Sequence, residues 1–465
     1  MQLPQLQILL RSKTNGMSYF MKIFRRLRLF FWFLKAFIGK HGQICLSGFV
    51  AGFLIFLLLI KLYPILISPF TSWRTKKIAI VGTYTPTTLP SYIQTLLSMG
   101  LTSLDQTGEA IPSLATHWEA KDEGKVYIFN LKSGLYWHDG TPFVASDVNY
   151  NLKGVKFEPI SEEVLKVVLK EPFSPLPSIL ARPIFKRGLV GLGPYKVKKL
   201  KLKGDKLQSI SLTPTLANLP LHEFKFYPTE AAAITAFKLG EVDILERISQ
   251  TNNFSSWPTV SVTPQTYFNF NVILFYNTQL PFLQKRAVRQ ALAFAIPSFP
   301  EEKSSGPLNP NSWAYNSRVK VYSPNQELAK SLFTKEGLAT ASAELTISTF
   351  HSFLTYAQMI ASSWENLGIK TNVRVENTLP ASFDVLLVIQ EIPADPDQYH
   401  LWHSTQDTNI TGFASPKIDK LLEDGRRTVD KEKRLQIYQD FQRYLVEEAP
   451  AIFLYHPKLY TVERK

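Results

Sequence analysis

Residues 135–152 read LYWHDGTPFVASDVNYNL, with an indole, an imidazole and a carboxylate in a row at Trp137, His138 and Asp139. A histidine next to an acid is material for general acid–base catalysis, provided the base and its orienting partner lie within hydrogen-bond reach. On an extended chain, neighbouring side chains point to opposite faces, so His138 and Asp139 are not expected to share a proton. The context instead favours a turn. Asp139-Gly140 supplies bend chemistry, Pro142 fixes the exit, and Ser146-Asp147 is expected to open a helix as N-cap and first-turn acid. The stretch is read as structural.

A second reactive-looking group is His400-Leu-Trp-His403, two histidines at i and i+3. A zinc hydrolase built on them would need a third protein ligand, and none accompanies them at a fixed spacing. They are read as surface or packing histidines, and no metal site is expected. Tyr399, Trp402 and Phe413 supply aromatic faces that suit either a ligand cleft or a core. Asp419 is read as a helix cap. Lys198-Lys199-Leu-Lys-Leu-Lys203 alternates like an edge strand with its lysines in solvent. Cys45 is the single cysteine, so a disulfide within the chain and a cysteine metal cluster are both impossible.

The net charge of +14 on 465 residues suggests nucleic acid until its distribution is considered. No acid precedes Asp105, and twelve basic residues lie between Arg11 and Lys77. The rest of the chain is close to neutral, whereas a nucleic-acid-binding protein carries its excess on the folded body. No nucleic-acid partner is expected. The basic residues flank ICLSGFVAGFLIFLLLI (44–60), which holds no charge and continues through Lys61 into LYPILISPF. About 20 apolar residues cross a bilayer, so 44–67 is predicted to be a transmembrane anchor with Lys61 snorkelling to the interface. Residues 1–43 form a basic cytoplasmic or interfacial segment. Eight basic residues precede the span and four lie at or after its end, which places the N-terminus in the cytoplasm and the body outside. A cleaved leader would have a shorter apolar core and small residues at the cut; bulky Tyr63-Pro64-Ile65 favours an uncleaved anchor.

Beyond Lys76, short apolar strands alternate with amphipathic helices, which argues for α/β layers. KKIAIVG (76–82) and KVYIFNLKSGLYW (125–137) read as strands, the latter with Tyr127, Phe129 and Leu131 on one face. Thr229 is placed to cap a helix that Gly240 closes. Pro281 suits the first turn of a helix over PFLQKRAVRQALAFAI. LTYAQMIASSWENLG (354–368) and about 431–448 complete the helices, and FDVLLVI (383–389) is a strand. PSFPEEKSSGPLNPNSW (297–313), rich in Pro, Ser and Gly, is expected to be a surface loop or a linker.

Trp-His-Asp-Gly-Thr-Pro-Phe-x-Ala-x-Asp-Val (137–148) resembles the signature of the bacterial extracytoplasmic oligopeptide- and dipeptide-binding proteins, the solute receptors of ABC importers. Further matches follow in the family's order: Ile111–Trp118, Gly193-Pro-Tyr-Lys-Val197, Ala236–Ile244, Asn269-Phe-Asn271, Arg286–Ala295, Trp364–Ile369, Asp395-Pro-Asp397 and Glu448–Ile452. The resemblance implies an α/β, bilobed periplasmic-binding-protein-like fold that closes on an extended peptide without chemistry. It implies lobe I over 76–275 with a reduced accessory subdomain about 111–190, lobe II over 276–449, and a return to lobe I over 450–465. The implied partners are a peptide-like solute and an ABC permease; the expected state is a monomer without cofactor, held to the membrane by the anchor at 44–67.

Two departures accompany it. Only about forty residues separate Leu152 from Gly193, fewer than the family carries there. The aspartate that pairs with a peptide's amino group falls at Ile392 in this chain, with Glu391 next to it on the opposite face. The residues expected to contact ligand are Glu391, Asp395, Asp397, Tyr399 and Trp402. Two other classes stay open: a tethered sensory or structural module that has lost transport, and a metal hydrolase built around His400 and His403; within the binder class, a non-peptide solute such as a metal chelate or a sugar is the alternative ligand.

Overall fold

The computed structural model describes residues 75–335 and 344–465, together with helical residues between 28 and 58 (28–29, 31–33, 35–37, 39–42, 47–48 and 50–58). The chain up to Arg74 and the chain from Thr75 to Lys465 form separate units. Among the described residues no helix is long and apolar enough to cross a membrane. Residues 43–46 and 59–67, at the two ends of the expected anchor, lie outside them, as do Cys45 and most of the basic segment.

Within Thr75–Lys465, a seven-stranded sheet runs in the spatial order Val260–Thr266, Lys458–Arg464, Ile244–Ile248, Lys76–Val81, His222–Tyr227, Lys206–Pro214, Tyr195–Lys203. Its central strand KKIAIV is apolar on both faces because both are covered. Ile78 and Ile80 pack with Ile93 and Leu97 of helix Ser91–Leu97, while Ala79 faces Ala233 and Phe237 of helix Glu230–Lys238. Thr229 caps that helix, its Oγ1 accepting from the Ala232 N–H at 3.2 Å, as expected. A six-stranded sheet follows the order Glu302–Lys303, Ala451–His456, Phe270–Tyr276, Val385–Glu391, Glu344–Phe350, Lys370–Glu376. It too is buried on both faces. Val272 and Leu274 meet Leu292 and Trp364 on one side, and Ile273 and Phe275 meet Trp402 and Phe441 on the other.

The chain passes between these sheets twice, at Tyr267–Asn269 and at Pro457. The two crossings are bonded to each other, Tyr267 N–H donating to the Pro457 carbonyl at 2.9 Å. Strand Phe270–Tyr276 and strand Ala451–His456 therefore lie in the second sheet, whereas the sequence reading assigned 270–275 to the first lobe and 451–456 to the return.

A four-stranded sheet, Ala115–Lys121, Val126–Leu131, Val164–Leu169, Val155–Pro159, is inserted in the first half. Tyr127, Phe129 and Leu131 face inward as the alternation predicts, and they pack with Trp137. Here the Trp-His-Asp stretch finds its role. Trp137 is buried and its indole N–H donates to Asp147 at 2.9 Å. Asp139 Oδ1 accepts from the Thr141 hydroxyl at 2.6 Å and from its N–H at 2.9 Å, an Asx turn whose two donors hold the carboxyl below the usual range. His138 holds the Gly-Leu-Gly segment: Nε2 donates to the Gly193 carbonyl at 2.9 Å and Nδ1 accepts from the Gly191 N–H at 3.3 Å. One ring nitrogen donates and the other accepts, which is the bonding pattern of the neutral imidazole. His138→Phe is expected to cost about 1–3 kcal/mol of stability by leaving the Gly191 amide and Gly193 carbonyl unpaired, with solute affinity unchanged; urea unfolding beside calorimetry checks both.

Three expectations change. Ser146 does not start a helix; Ala145–Asp147 is a single turn, and Asn151 takes a left-handed φ of 51° that ends any continuation. The helix after Pro281 divides into Pro281–Gln284 and Arg286–Phe294 because Lys285 is extended, with ψ at 120°. The stretch 297–313 is not a loose surface loop. Glu302–Lys303 pairs with Tyr455 and His456, and Ser304, Gly306, Pro307 and Leu308 are buried. The Gly306 carbonyl accepts from Asn271 Nδ2, and the Pro307 carbonyl from Gln398 Nε2, each at 3.0 Å.

Candidate functional site

Three cavities lie where the first half of the body meets the second. A hairpin, Thr102–Leu104 with Ala110–Pro112, carries the turn Asp105-Gln-Thr-Gly-Glu109. Asp105 Oδ1 fixes this turn, accepting from the N–H groups of Thr107 at 2.8 Å and Glu109 at 3.0 Å. The turn reaches the second half, where Trp313 N–H donates to the Thr107 carbonyl at 3.1 Å. Gly108, with φ at 80°, rests on the Ala394 carbonyl, where no Cβ fits. Beside this contact is a cavity of about 520 Å³ lined by Gln106, Thr107, Asn269, Asn309, Glu391 and His400 among others. That volume lies within the range of small-ligand sites.

Glu391 reaches this cavity from a regular strand. It pairs with Phe270 in an unbroken ladder, and the next N–H, of Ile392, donates to the Asn269 carbonyl at 2.8 Å. Glu391 is exposed and Ile392 is buried, and both border the cavity. Asn269 comes from one of the two crossings, which puts a cavity wall on the connection between the sheets.

The other four expected residues are placed differently. Asp395 is buried against Arg434, whose Nη1 donates to its Oδ2 at 3.2 Å, and Ser178 Oγ of the first half donates to the same oxygen at 3.0 Å. Burial opposes the charge on Arg434, and the Asp395 carboxylate outweighs it, raising the guanidinium's pKa. Asp397 is held by Arg426, whose Nη2 lies 2.8 Å from Oδ2. The Arg426 guanidinium lies 4.0 Å from the Tyr399 ring centre, and Tyr399 stacks on His403 at 4.1 Å. Trp402 is packed between Phe275 and Phe453, with Nε1 donating to Gln398 at 3.1 Å. Of these, Tyr399 borders a second cavity of about 550 Å³ with Lys153, Phe173, Arg426 and Arg427. Asp395 borders a third, of about 170 Å³, with Trp118, Tyr127, Trp313 and Arg434.

His400 and His403 enter different surroundings. His400 lines the 520 Å³ cavity, while His403 is buried with Nε2 at 3.4 Å from Glu423. Among the described residues no group of three His, Cys, Asp or Glu side chains is arranged to hold a metal ion. The halves meet through several contacts besides those at Thr107 and Ser178: Ser174 N–H donates to the Arg426 carbonyl at 2.8 Å, Arg427 reaches Glu171 at 3.3 Å, and Lys431 pairs with Glu109. Gln106, Asn269 and Asn309 were not anticipated as cavity residues; the Asp-x-Thr-Gly turn was the one local signal for the hairpin.

Residues 109–408 match the family described as bacterial extracellular solute-binding proteins, family 5 Middle. Di/tripeptide-binding protein 1 of Pseudomonas aeruginosa (strain UCBPP-PA14) is 23% identical, with 78% of this chain and 84% of that protein covered. The dipeptide-binding protein of Escherichia coli (strain K12) is 22% identical, with 77% and 83% covered. Among solved structures, AppA of Bacillus subtilis in complex with a nonapeptide superposes with a TM-score of 0.67 at 19% identity, covering 85% of this chain and 95% of that one. NikZ of Campylobacter jejuni in complex with Ni(L-His) gives 0.69 at 22% identity, covering 84% and 94%. The fold is that of the bilobed periplasmic binding proteins, and the chain belongs to family 5 of the bacterial extracellular solute-binding proteins, the substrate receptors of ABC transporters.

Proposed function

We propose that this chain is a membrane-tethered receptor that captures short peptides or peptide-like solutes outside the cell and hands them to an ABC permease. The observation that carries the reading is the 520 Å³ cavity with Glu391 on one wall and the Asp105–Glu109 turn on the other. Closure about the paired crossings at Tyr267–Asn269 and Pro457 brings these walls together, and a solute that touches both is bound more tightly by the closed form. Polar side chains and backbone groups around an extended ligand supply affinity with tolerance for side chains. Asp395, Asp397 and Trp402 act by shaping the cleft wall, since internal partners occupy them; Glu391 is the ligand contact in this cavity, and Tyr399, between Arg426 and His403, offers its edge to the separate 550 Å³ cavity. The tether is supported by the uncharged 44–60 run and its basic flanks.

Mass spectrometry of solute released from the purified protein, followed by calorimetry with di- and tripeptides, tests the reading; absence of binding to any of them overturns the peptide assignment. Glu391→Gln is expected to weaken a peptide with a free amino terminus about tenfold, as loss of one charge-assisted contact does. An N-acetylated peptide is expected to be indifferent to the change. A metal chelate is the second reading, favoured by His400 beside Glu391 in the same cavity, and titration with nickel–histidine separates the two.

A further inference from the structure

The strand Tyr195–Lys203 forms one edge of the seven-stranded sheet and presents a row of lysines. Its inward residues are Tyr195, Val197 and Leu200, which pack toward Ile210 and Leu212. A strict period of two from Tyr195 would bury Lys199 and Lys201. The register instead shifts between Val197 and Lys199, so Lys198 and Lys199 are both exposed and Leu200 turns inward. Lys196, Lys198, Lys199, Lys201, Lys203 and Lys206 are all exposed, and no ion pair to any of them is found among the described residues. Leu202, at the far end, is 47% exposed.

One or two lysines are enough to keep an edge strand from pairing with another chain. Here residues 196–206 hold six lysines and one aspartate, while the rest of 78–465 holds 34 basic and 37 acidic residues. The positive charge of the folded body is therefore gathered on this edge. The register places the edge close to the point where the chain leaves the body. Lys76 pairs with His222, His222 with Leu212, and Leu212 with Val197, so Lys76 and Val197 stand level. Three strand spacings separate them, roughly 14 Å. Nine residues separate Lys76 from Ile67, the end of the apolar segment, a reach of roughly 30 Å at most.

We propose that the lysine edge Tyr195–Lys206 docks on anionic phospholipid headgroups of the membrane that holds the chain, so that the tether and the edge together fix the receptor's orientation. The proposal rests on the tethered reading above. Basic side chains near an anionic surface attract it within about a Debye length, some 8–10 Å at moderate salt. A tether of this length lets an edge so near its root come within that distance, and exposed Leu202 adds an apolar contact at the interface.

The test uses the full chain reconstituted in vesicles of phosphatidylcholine alone or with about a third phosphatidylglycerol. Cys45→Ser removes the native thiol and Gln208→Cys, exposed on the partner strand of the hairpin, carries a fluorophore quenched by spin-labelled headgroups. Quenching at least about threefold stronger with the anionic lipid, abolished by 0.5 M salt and by Lys198→Glu with Lys201→Glu and Lys203→Glu, is the expected result. Equal quenching in the two lipid mixtures, with flotation intact in both, overturns the docking alone. Failure of the chain to float with either vesicle overturns the tether and the docking with it. Calorimetry on the charge-reversed chain is expected to show solute affinity unchanged, since the lysines lie outside the cleft.

Discussion

Asp395→Ala is expected to lower stability by about 3–5 kcal/mol, the cost of leaving one member of a buried ion pair without its partner. Arg434 is 7% exposed. Besides Asp395 it donates to the Gly425 carbonyl, from Nε at 3.0 Å, and its guanidinium lies 5.3–5.5 Å from the Tyr438 and Trp313 rings. Without the carboxylate, a nearly buried cation is left without a counter-charge. Asp395→Leu combined with Arg434→Met removes both charges and keeps the volume, so it is expected to recover most of the loss, since apolar replacement of a buried pair is often neutral. Urea unfolding measures all three chains. A loss below about 1 kcal/mol in the single variant would mean that water reaches Arg434 and that the pair is not a structural element. The substitution also removes the acceptor of Ser178, so closure is expected to weaken along with stability.

The contrast between Asp395 and Glu391 shows what a sequence can and cannot convey about a cleft. Both are acids near the end of one strand, and both read as ligand contacts. Their fates are set by partners far along the chain: Arg434 and Ser178 for Asp395, an open cavity for Glu391. No local periodicity encodes which arginine returns to which acid. Elements whose signals are local were legible. Thr229 caps its helix through its own side chain, and Tyr127, Phe129 and Leu131 alternate into a core. The order of motifs from Ile111 to Ile452 pointed to the family that the comparisons then gave.

The burial of the stretch 297–313 was hidden for the same reason that the partners of Asp395 were. Pro, Ser and Gly describe a chain without its own periodicity, and such a chain is buried only if distant donors meet its carbonyls. Asn271 and Gln398 supply them here. The lysine strand was read correctly as an edge, yet its two-lysine bulge was hidden, because a bulge shows itself only against the partner strand. His138 gave the opposite lesson. Strand alternation alone was enough to read it as structural, and the folded chain spends both ring nitrogens on the Gly191–Gly193 backbone.

Gly108→Ala is expected to weaken solute binding at least tenfold, about 1.4 kcal/mol. Two effects follow from the new methyl group, and they are separable. The left-handed φ of 80° strains alanine by roughly 1–2 kcal/mol, equally in open and closed forms. The clash with the Ala394 carbonyl exists only where the hairpin meets the second half, so it penalises closure alone. Apparent affinity falls in proportion to the closed fraction. Gly134→Ala is the matched control, because its φ is 70° and nothing lies within 4 Å of the added atom. It is expected to lose a similar amount of stability and to bind solute as the unmodified chain does. Solution scattering should show the Gly108 variant remaining extended at solute concentrations that compact the control. If both variants bind alike, the Gly108–Ala394 contact is absent from the solute-bound state, and closure brings other surfaces together.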